Sequence, residues 1–228
     1  MDIRANLRRI KTEIDASLLK STNPERKVTV IVVTKNQEIK EINEVLKEGH
    51  FILGENRVQE LKDKYDQLPM EVDWHLIGHL QRNKVKYIVD KVKLIHSLEN
   101  YSLAEEISKR MAVEKKPMEC LVQVNPAREE SKYGLEVHEI MTFIKEVAHL
   151  PGLKIKGLMT IAPEVNNPEE VRPIFKEMFH LFNEIKETKI FGVEMEYLSM
   201  GMTNDYKIAV EEGSNMVRIG SAIFGPRY

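Results

Sequence analysis

Residues 28–53 read VTVIVVTKNQEIKEINEVLKEGHFIL, a pattern of strand, helix and strand. The run Val28–Thr34 is rich in β-branched residues and predicts a buried strand, and His50–Leu53 predicts a second one. Between them, apolar residues recur every three or four positions over 38–48, which predicts an amphipathic helix. Because parallel strands need such a crossover connection, this unit favours a parallel α/β fold.

The same alternation continues along the chain. Further strands are predicted at Asp73–Ile77, Leu94–Ser97, Glu119–Val124, Lys154–Thr160, Met195–Ser199 and Met216–Ile219, and helices at 56–67, 80–89, 101–115, 136–148, 168–187 and 204–212. Eight strands in 228 residues favour a closed (β/α)₈ TIM barrel over an open doubly wound sheet. No glycine-rich fingerprint follows the first strand, as a nucleotide-binding open sheet would have. We expect one α/β barrel domain over residues 1–228.

An extra helix is predicted before the first strand. Ile3, Leu7, Ile10, Ile14 and Leu18 recur at helical spacing, which indicates an amphipathic helix packed on the barrel and not a signal peptide. No apolar stretch approaches the roughly 20 residues that a membrane span needs. We therefore expect a cytoplasmic protein that has no membrane partner.

Charge argues against a nucleic-acid-binding protein, and cysteine content argues against a disulfide-bonded one. Lys and Arg number 34 against 36 Asp and Glu, so the formal net charge is −2 and gives no support to nucleic-acid binding. The single cysteine, Cys120, cannot form an internal disulfide, which indicates a reducing compartment. Its apolar neighbours favour a packed strand residue over a nucleophile.

Functional residues of such barrels follow the carboxyl ends of the strands. Lys35 ends the first strand, where a partly desolvated amine is suited to Schiff-base formation with an aldehyde. The alternative is a lysine that extends along the rim into solvent. Asn56 follows the second strand and either faces the site or starts a helix.

The end of the chain predicts a phosphate site. Gly220 and Ser221 follow the last strand, and the loops after strands seven and eight recurrently bind phosphate in these barrels. Ser199 and Thr203 from the preceding loop would add hydroxyl donors. The alternative is that Gly220 and Ser221 only turn the chain and cap a short helix, and the spacing does not decide between the two.

His75 and His79 do not form a zinc motif of the HExxH kind. Gly78 lies between them, and no glutamate follows His75. We expect no metal site.

Six segments, in this order, resemble the pyridoxal 5′-phosphate (PLP) homeostasis protein family, single-domain relatives of the alanine racemase barrel: Val33-Thr34-Lys35, Gly54–Glu60, Trp74–Lys84, Gln123-Val124-Asn125, Leu198–Asp205 and Val217–Ser221. The resemblance covers nearly the whole chain, from Val28 to Arg227. It implies the fold of the alanine racemase N-terminal domain and PLP as the cofactor. Thr203 stands where the family often has serine, and Arg82 where serine or threonine is usual.

Carried over by position, the resemblance implies roles for single residues. Lys35 would hold PLP as a Schiff base, Arg218 would face the pyridine nitrogen, and Asn56 would lie beside the ring. The phosphate would be held by four residues: Ser199, Thr203, Gly220 and Ser221.

The resemblance favours a PLP-binding protein of intracellular PLP homeostasis over an efficient racemase. An arginine keeps its proton at neutral pH, so the ring nitrogen would stay unprotonated and the ring would be a poorer electron sink. The racemases also use a tyrosine from an additional β-domain, which we do not expect here. PLP-dependent apo-enzymes are the candidate recipients, and we expect a monomer. A slow amino-acid racemase or transaminase is the alternative function, and a barrel that binds another phosphate ester is the third.

Overall fold

In the computed structural model, residues 2–114, 116–129 and 132–225 are described, and their strands form a closed parallel barrel. The strands follow each other around the barrel in chain order, and β1 pairs with β8 to close it. The strands are β1 (Thr29–Val33), β2 (Ile52–Glu55), β3 (Asp73–Leu76), β4 (Leu94–Leu98), β5 (Met118–Val124), β6 (Leu153–Thr160), β7 (Val193–Ser199) and β8 (Met216–Ile219). The predicted barrel is confirmed.

Helices connect the strands. They are α1 (Ile3–Leu18), α2 (Ile39–Lys47), α3 (Val58–Tyr65), α4 (Tyr101–Glu114), α5 (Ile140–Val147), α6 (Arg172–Thr188), α7 (Tyr206–Glu211) and α8 (Ser221–Phe224). Short 3₁₀ segments cover Arg82–Tyr87, Val137–Glu139 and Pro168–Val171. Within the described ranges, no helix has the length and apolar character to cross a membrane.

Three predicted helices differ from the structure in kind. The helix predicted at 80–89 is a 3₁₀ helix over Arg82–Tyr87, and Val85 and Ile88 bury its inner side. The helices predicted at 136–148 and 168–187 each begin with a 3₁₀ turn. The last residue of the helix predicted at 101–115 lies outside the described residues.

The extra N-terminal helix α1 is confirmed. Asp2 caps it by accepting a hydrogen bond from the N–H of Ala5 (2.9 Å). The helix buries one apolar face against the body of the protein through Leu7, Ile10, Ile14 and Leu18. On its other side, the hydroxyl of Tyr206 in α7 donates a hydrogen bond to Glu13, which ties the helix to the last third of the chain.

The barrel interior contains an apolar cluster and a chain of polar contacts. Ile31, Leu94, Leu121, Met159 and Met216 form the apolar cluster. The polar contacts run from His75 Nδ1 to His96 Nε2 (3.1 Å), and from His96 Nδ1 to the Oγ of Ser199 (3.1 Å). Since β4 and β7 are not neighbours, the contact between His96 and Ser199 crosses the interior.

Both interior histidines are neutral at pH 7. Burial lowers the pKa of His75 to about 4, with Asp73 opposing the shift and Lys93 adding to it. Burial also lowers the pKa of His96 well below its ordinary value, and His75 and Arg218 add to that effect. In the folded barrel, each of these two imidazoles therefore carries a proton on only one of its ring nitrogens.

We expect acid to destabilise the protein through these histidines. In the unfolded chain they take up protons near pH 6.5, whereas in the fold they stay neutral to a lower pH. Stability is complete above the unfolded pKa and falls toward the folded one, by up to about 1.4 kcal/mol per pH unit for each histidine. Urea unfolding between pH 7 and about 4.5 measures the slope.

The variant His96→Gln isolates this contribution. It should flatten the decline, whereas His180→Gln, at an exposed position of α6, should keep the slope of the unmodified protein. Equal slopes in all three proteins would contradict the assignment to the buried histidines.

Candidate functional site

A cavity of about 460 Å³ lies at the carboxyl ends of the strands, where the sequence predicts the site. Six of the seven predicted site residues line it: Lys35, Asn56, Thr203, Arg218, Gly220 and Ser221. Apolar side chains form the rest of one wall: Val33, Ile77, Ile161, Ala162 and Pro163. The cavity therefore combines an amine, a guanidinium and hydroxyl groups with apolar surface.

Lys35 is held at the end of β1 by its backbone neighbours. The N–H of Thr34 donates to the carbonyl of Gly54 (3.0 Å), and the N–H of Gln37 donates to the carbonyl of Thr34 (2.9 Å). Asn36 has a φ of 58°, in the left-handed region that asparagine adopts more readily than most residues. This sharp turn stops the strand and leaves Lys35 half-buried on the cavity wall.

Asn56 reaches the cavity because a glycine on the neighbouring strand end lets it approach. A Cβ placed on Gly78 would lie 2.3 Å from the carbonyl oxygen of Asn56. Only a residue without a side chain permits this contact, so Gly78 sets the spacing of the two strand ends. Asn56 is half-buried and faces the cavity.

A pair of hydroxyl groups joins the loops after β7 and β8. The Oγ of Ser221 donates to the Oγ1 of Thr203 (3.1 Å), and the N–H of Ala222 donates to the same oxygen (3.2 Å). Because Thr203 Oγ1 accepts both bonds, its own proton is free to be donated to another acceptor. Gly201, with a φ of 97°, makes the preceding turn.

Arg218 is a fixed cation on the cavity wall. It is 3% exposed, and its Nη1 and Nη2 donate to the carbonyls of Ser199 (2.9 Å) and Thr160 (2.7 Å). Burial lowers the pKa of Arg218 to about 10, and Asp205 opposes the shift. The guanidinium therefore stays protonated at neutral pH.

Ser199 is predicted among the phosphate ligands but lies behind the cavity wall. Ser199 is fully buried and is not among the residues that line the cavity. Its hydroxyl accepts a hydrogen bond from Arg218 Nη1 (2.7 Å) and contacts His96. As the last residue of β7, it follows the strand alternation into the barrel, so its hydroxyl supports Arg218.

Asp205 lines the cavity and was given no role by the sequence. Its Oδ1 accepts a hydrogen bond from the N–H of Met202 (2.6 Å), which braces the loop that carries Thr203. Burial raises the pKa of Asp205, and the Met202 bond and Arg218 oppose the rise. An acidic residue directly before α7 was the available signal, because such residues favour helix starts.

A sequence model of the alanine racemase N-terminal domain matches residues 2–228. The pyridoxal phosphate homeostasis protein of Aquifex aeolicus is 38% identical over 228 residues, which cover 100% of this chain and 99% of that protein. The chain belongs to the pyridoxal phosphate homeostasis protein family. The resemblance that the six sequence segments carry is thereby confirmed.

A second curated relative and a solved structure are also similar to this chain over nearly its whole length. The pyridoxal phosphate homeostasis protein of Escherichia coli strain K12 is 32% identical over 231 residues, covering 99% of this chain and 97% of that protein. The structure of an unknown protein from Bifidobacterium adolescentis matches with a TM-score of 0.92 at 30% identity, covering 98% of this chain and 94% of that one.

Two further solved structures are similar to this chain. PipY of Synechococcus elongatus, solved with PLP bound, matches with a TM-score of 0.79 at 29% identity, covering 93% of this chain and 100% of that one. Alanine racemase of Corynebacterium glutamicum matches with a TM-score of 0.70 at 11% identity, covering 95% of this chain and 60% of that one. At that identity, the racemase shows a shared fold alone.

Proposed function

We propose that this protein binds PLP in the 460 Å³ cavity and takes part in PLP homeostasis. The observation that carries the proposal is the placement of the Lys35 amine, the Arg218 guanidinium and the Thr203–Ser221 hydroxyl pair on one cavity. The names of the relatives and the PLP-bound PipY structure support it.

The donor set fits the chemical groups of PLP one by one. An aldehyde is bound by an amine, a pyridine nitrogen accepts from a guanidinium, and a phosphate accepts from hydroxyl and backbone N–H groups. The apolar wall suits the ring, and the volume lies within the roughly 300–1,000 Å³ of small-ligand sites. We assign the aldehyde to Lys35, the ring to Asn56 and Arg218, and the phosphate to Thr203, Gly220 and Ser221.

The amine of Lys35 would bind the aldehyde covalently and reversibly. PLP would supply an aldehyde, which an amine binds and releases with water as the only other reactant or product, so that no oxidant or reductant is needed. Reversible capture of a reactive aldehyde is the chemistry that a carrier or buffer needs.

Arg218 favours a carrier over an enzyme. Because its pKa of about 10 keeps it protonated at neutral pH, it would donate a hydrogen bond to the ring nitrogen of PLP and leave that nitrogen without a proton. A ring in that state withdraws electrons from a bound amino acid less strongly than a pyridinium. Arg218 would thus favour binding of the cofactor over catalysis with it.

The oligomeric state, the cellular location and the recipients of PLP are also proposals. We infer one domain over residues 1–228, which the single family model over residues 2–228 supports, and we propose that the protein is a monomer. Its place would be the cytoplasm and its recipients apo-enzymes that use PLP, which the reversible bond at Lys35 would allow.

A slow amino-acid racemase or transaminase is the second candidate. Two further carboxyl groups, Glu164 and Asp205, line the same cavity and are available as acid–base groups.

Lys35→Ala should abolish the Schiff-base absorbance band that appears when PLP is added, because no other lysine lines the cavity among the described residues. Lys47→Ala, on the exposed side of α2, should keep the band. Borohydride reduction followed by peptide mass analysis should place the cofactor on Lys35. An undiminished band in Lys35→Ala would exclude Lys35 as the Schiff-base residue.

Ser199→Ala should affect mainly stability, whereas Ser221→Ala should affect mainly PLP affinity. Ser199→Ala removes the hydroxyl that accepts a hydrogen bond from buried Arg218 and contacts buried His96, so it should lower the free energy of unfolding by about 1–3 kcal/mol with a small effect on PLP affinity. Ser221→Ala removes an exposed phosphate donor, so it should weaken PLP binding about tenfold at unchanged stability. Urea unfolding and PLP titration measure both, and equal affinity loss in the two variants would return Ser199 to the phosphate site.

The carrier and the enzyme differ in α-proton exchange. Incubation of the PLP-loaded protein with single amino acids in deuterated water should give exchange far below the roughly 1–1,000 turnovers per second of ordinary enzymes. Mass spectrometry of the amino acid measures it, with Lys35→Ala as the blank. Exchange at a few turnovers per second would favour the second candidate.

A further inference from the structure

A charged cluster, formed by the buried Glu55 and Lys64 and the half-buried Glu60, lies behind the segment that carries Lys35. The Nζ of Lys64 in α3 is 2.6 Å from the Oε1 of Glu55 and 3.6 Å from the Oε2 of Glu60. The side chain of Lys64 is 10% exposed and that of Glu55 is 0% exposed. None of the three side chains lines the cavity.

This cluster holds the backbone on both sides of Lys35. Before it, the carbonyl of Thr34 accepts a hydrogen bond from Lys64 Nζ (2.6 Å), and the Thr34 hydroxyl donates to Glu55 Oε1 (2.7 Å). After it, the N–H of Asn36 donates to Glu60 Oε2 (2.8 Å). The two neighbours of Lys35 are therefore fixed by one group of charges.

Stability alone does not account for such a cluster. A buried ion pair loses much of its Coulomb energy to desolvation, and apolar residues of similar volume often stabilise a fold as well or better. Glu55 Oε2 is moreover buried without a hydrogen-bond partner among the described residues, which adds a further cost. The contacts that the cluster does make are to both chain neighbours of Lys35.

The cluster also places charged groups behind the strand end that carries Lys35. Glu55 and Glu60 carry two negative charges beside the strand end, and the ammonium of Lys64 pairs with both. The cavity brings three more charged groups toward Lys35, namely Glu164, Asp205 and Arg218. Loss of the Lys64 charge would leave the carboxylates of the cluster to attract the Lys35 ammonium, which holds the amine in its unreactive protonated form.

We propose that Lys64 is a positioning residue for Lys35: it fixes the backbone around that residue and pairs the nearby carboxylates, so that the amine is presented to an aldehyde in reactive form. This inference rests on the proposed binding of PLP at Lys35.

Lys64→Met and Lys64→Arg test the inference, with Lys156→Met as the matched control. Lys156 is also buried, at 8% exposure, and pairs with Glu194 (2.9 Å) and Glu196 away from the cavity residues. The rate of appearance of the Schiff-base band is measured against pH with PLP in excess, and urea unfolding is measured alongside.

Lys64→Met should slow PLP capture about tenfold at neutral pH and move the pH midpoint of capture upward by about one unit. Lys64→Arg, which keeps the charge, should restore part of the rate. Lys156→Met should lose stability and keep both rate and midpoint. A midpoint unchanged in Lys64→Met, with only the stability lowered, would overturn the inference.

Glu60→Gln covers the case in which Lys64→Met does not fold. Glu60 is 21% exposed, and glutamine keeps an acceptor for the N–H of Asn36 while it removes one negative charge. The midpoint should then move downward, and an unchanged or raised midpoint would overturn the inference. If the unmodified protein forms no Schiff-base band, the proposed function fails and this inference fails with it. If the band forms and the variants have the same rate and pH midpoint as the unmodified protein, only this inference fails.

Discussion

Closure of the barrel by pairing of β1 with β8 is the interaction on which the site depends. Val32 is opposite Ile219 in the register of these two strands, so the end of the first strand lies beside the end of the last. Lys35 and the Arg218–Ser221 segment are far apart in the chain, yet they line one cavity because of this pairing. An open sheet with the same strands would leave the amine and the hydroxyl groups at opposite edges.

The interior of the barrel determines how Arg218 is presented. Thr160 and Ser199 each accept hydrogen bonds from its guanidinium, and His96 contacts Ser199 from the other side of the barrel. Each of these polar groups is costly to bury, and each is stabilised by its neighbour. The result is a cation that is held in one orientation and that keeps its proton at neutral pH. The same chain of contacts makes the fold sensitive to acid.

The chemistry of the cavity and the family membership agree on a holder of a reactive aldehyde. Lys35 lines the cavity with an amine, and the hydroxyl groups of Thr203 and Ser221 supply hydrogen-bond donors on the same cavity. Arg218 adds a buried guanidinium that is protonated at neutral pH. Behind Lys35, charges from β2 and α3 keep its backbone in place. In the proposed function, this one arrangement of residues would both bind PLP and limit its catalysis.

The sequence by itself determined the order and kind of the main elements, because β-branched runs and helical periodicity are local properties. It also identified Lys35, Asn56 and the segment after β8, since a parallel barrel collects its strand ends at one mouth. It did not determine where Ser199 points, because a residue at a strand end faces either the mouth or the interior according to the closure of the barrel. Nor did it indicate Lys64, whose partners Thr34 and Glu55 come from two other segments and meet it only in the fold. Side-chain direction and long-range charge pairing were decided by tertiary structure, because both depend on contacts between residues that no local pattern relates.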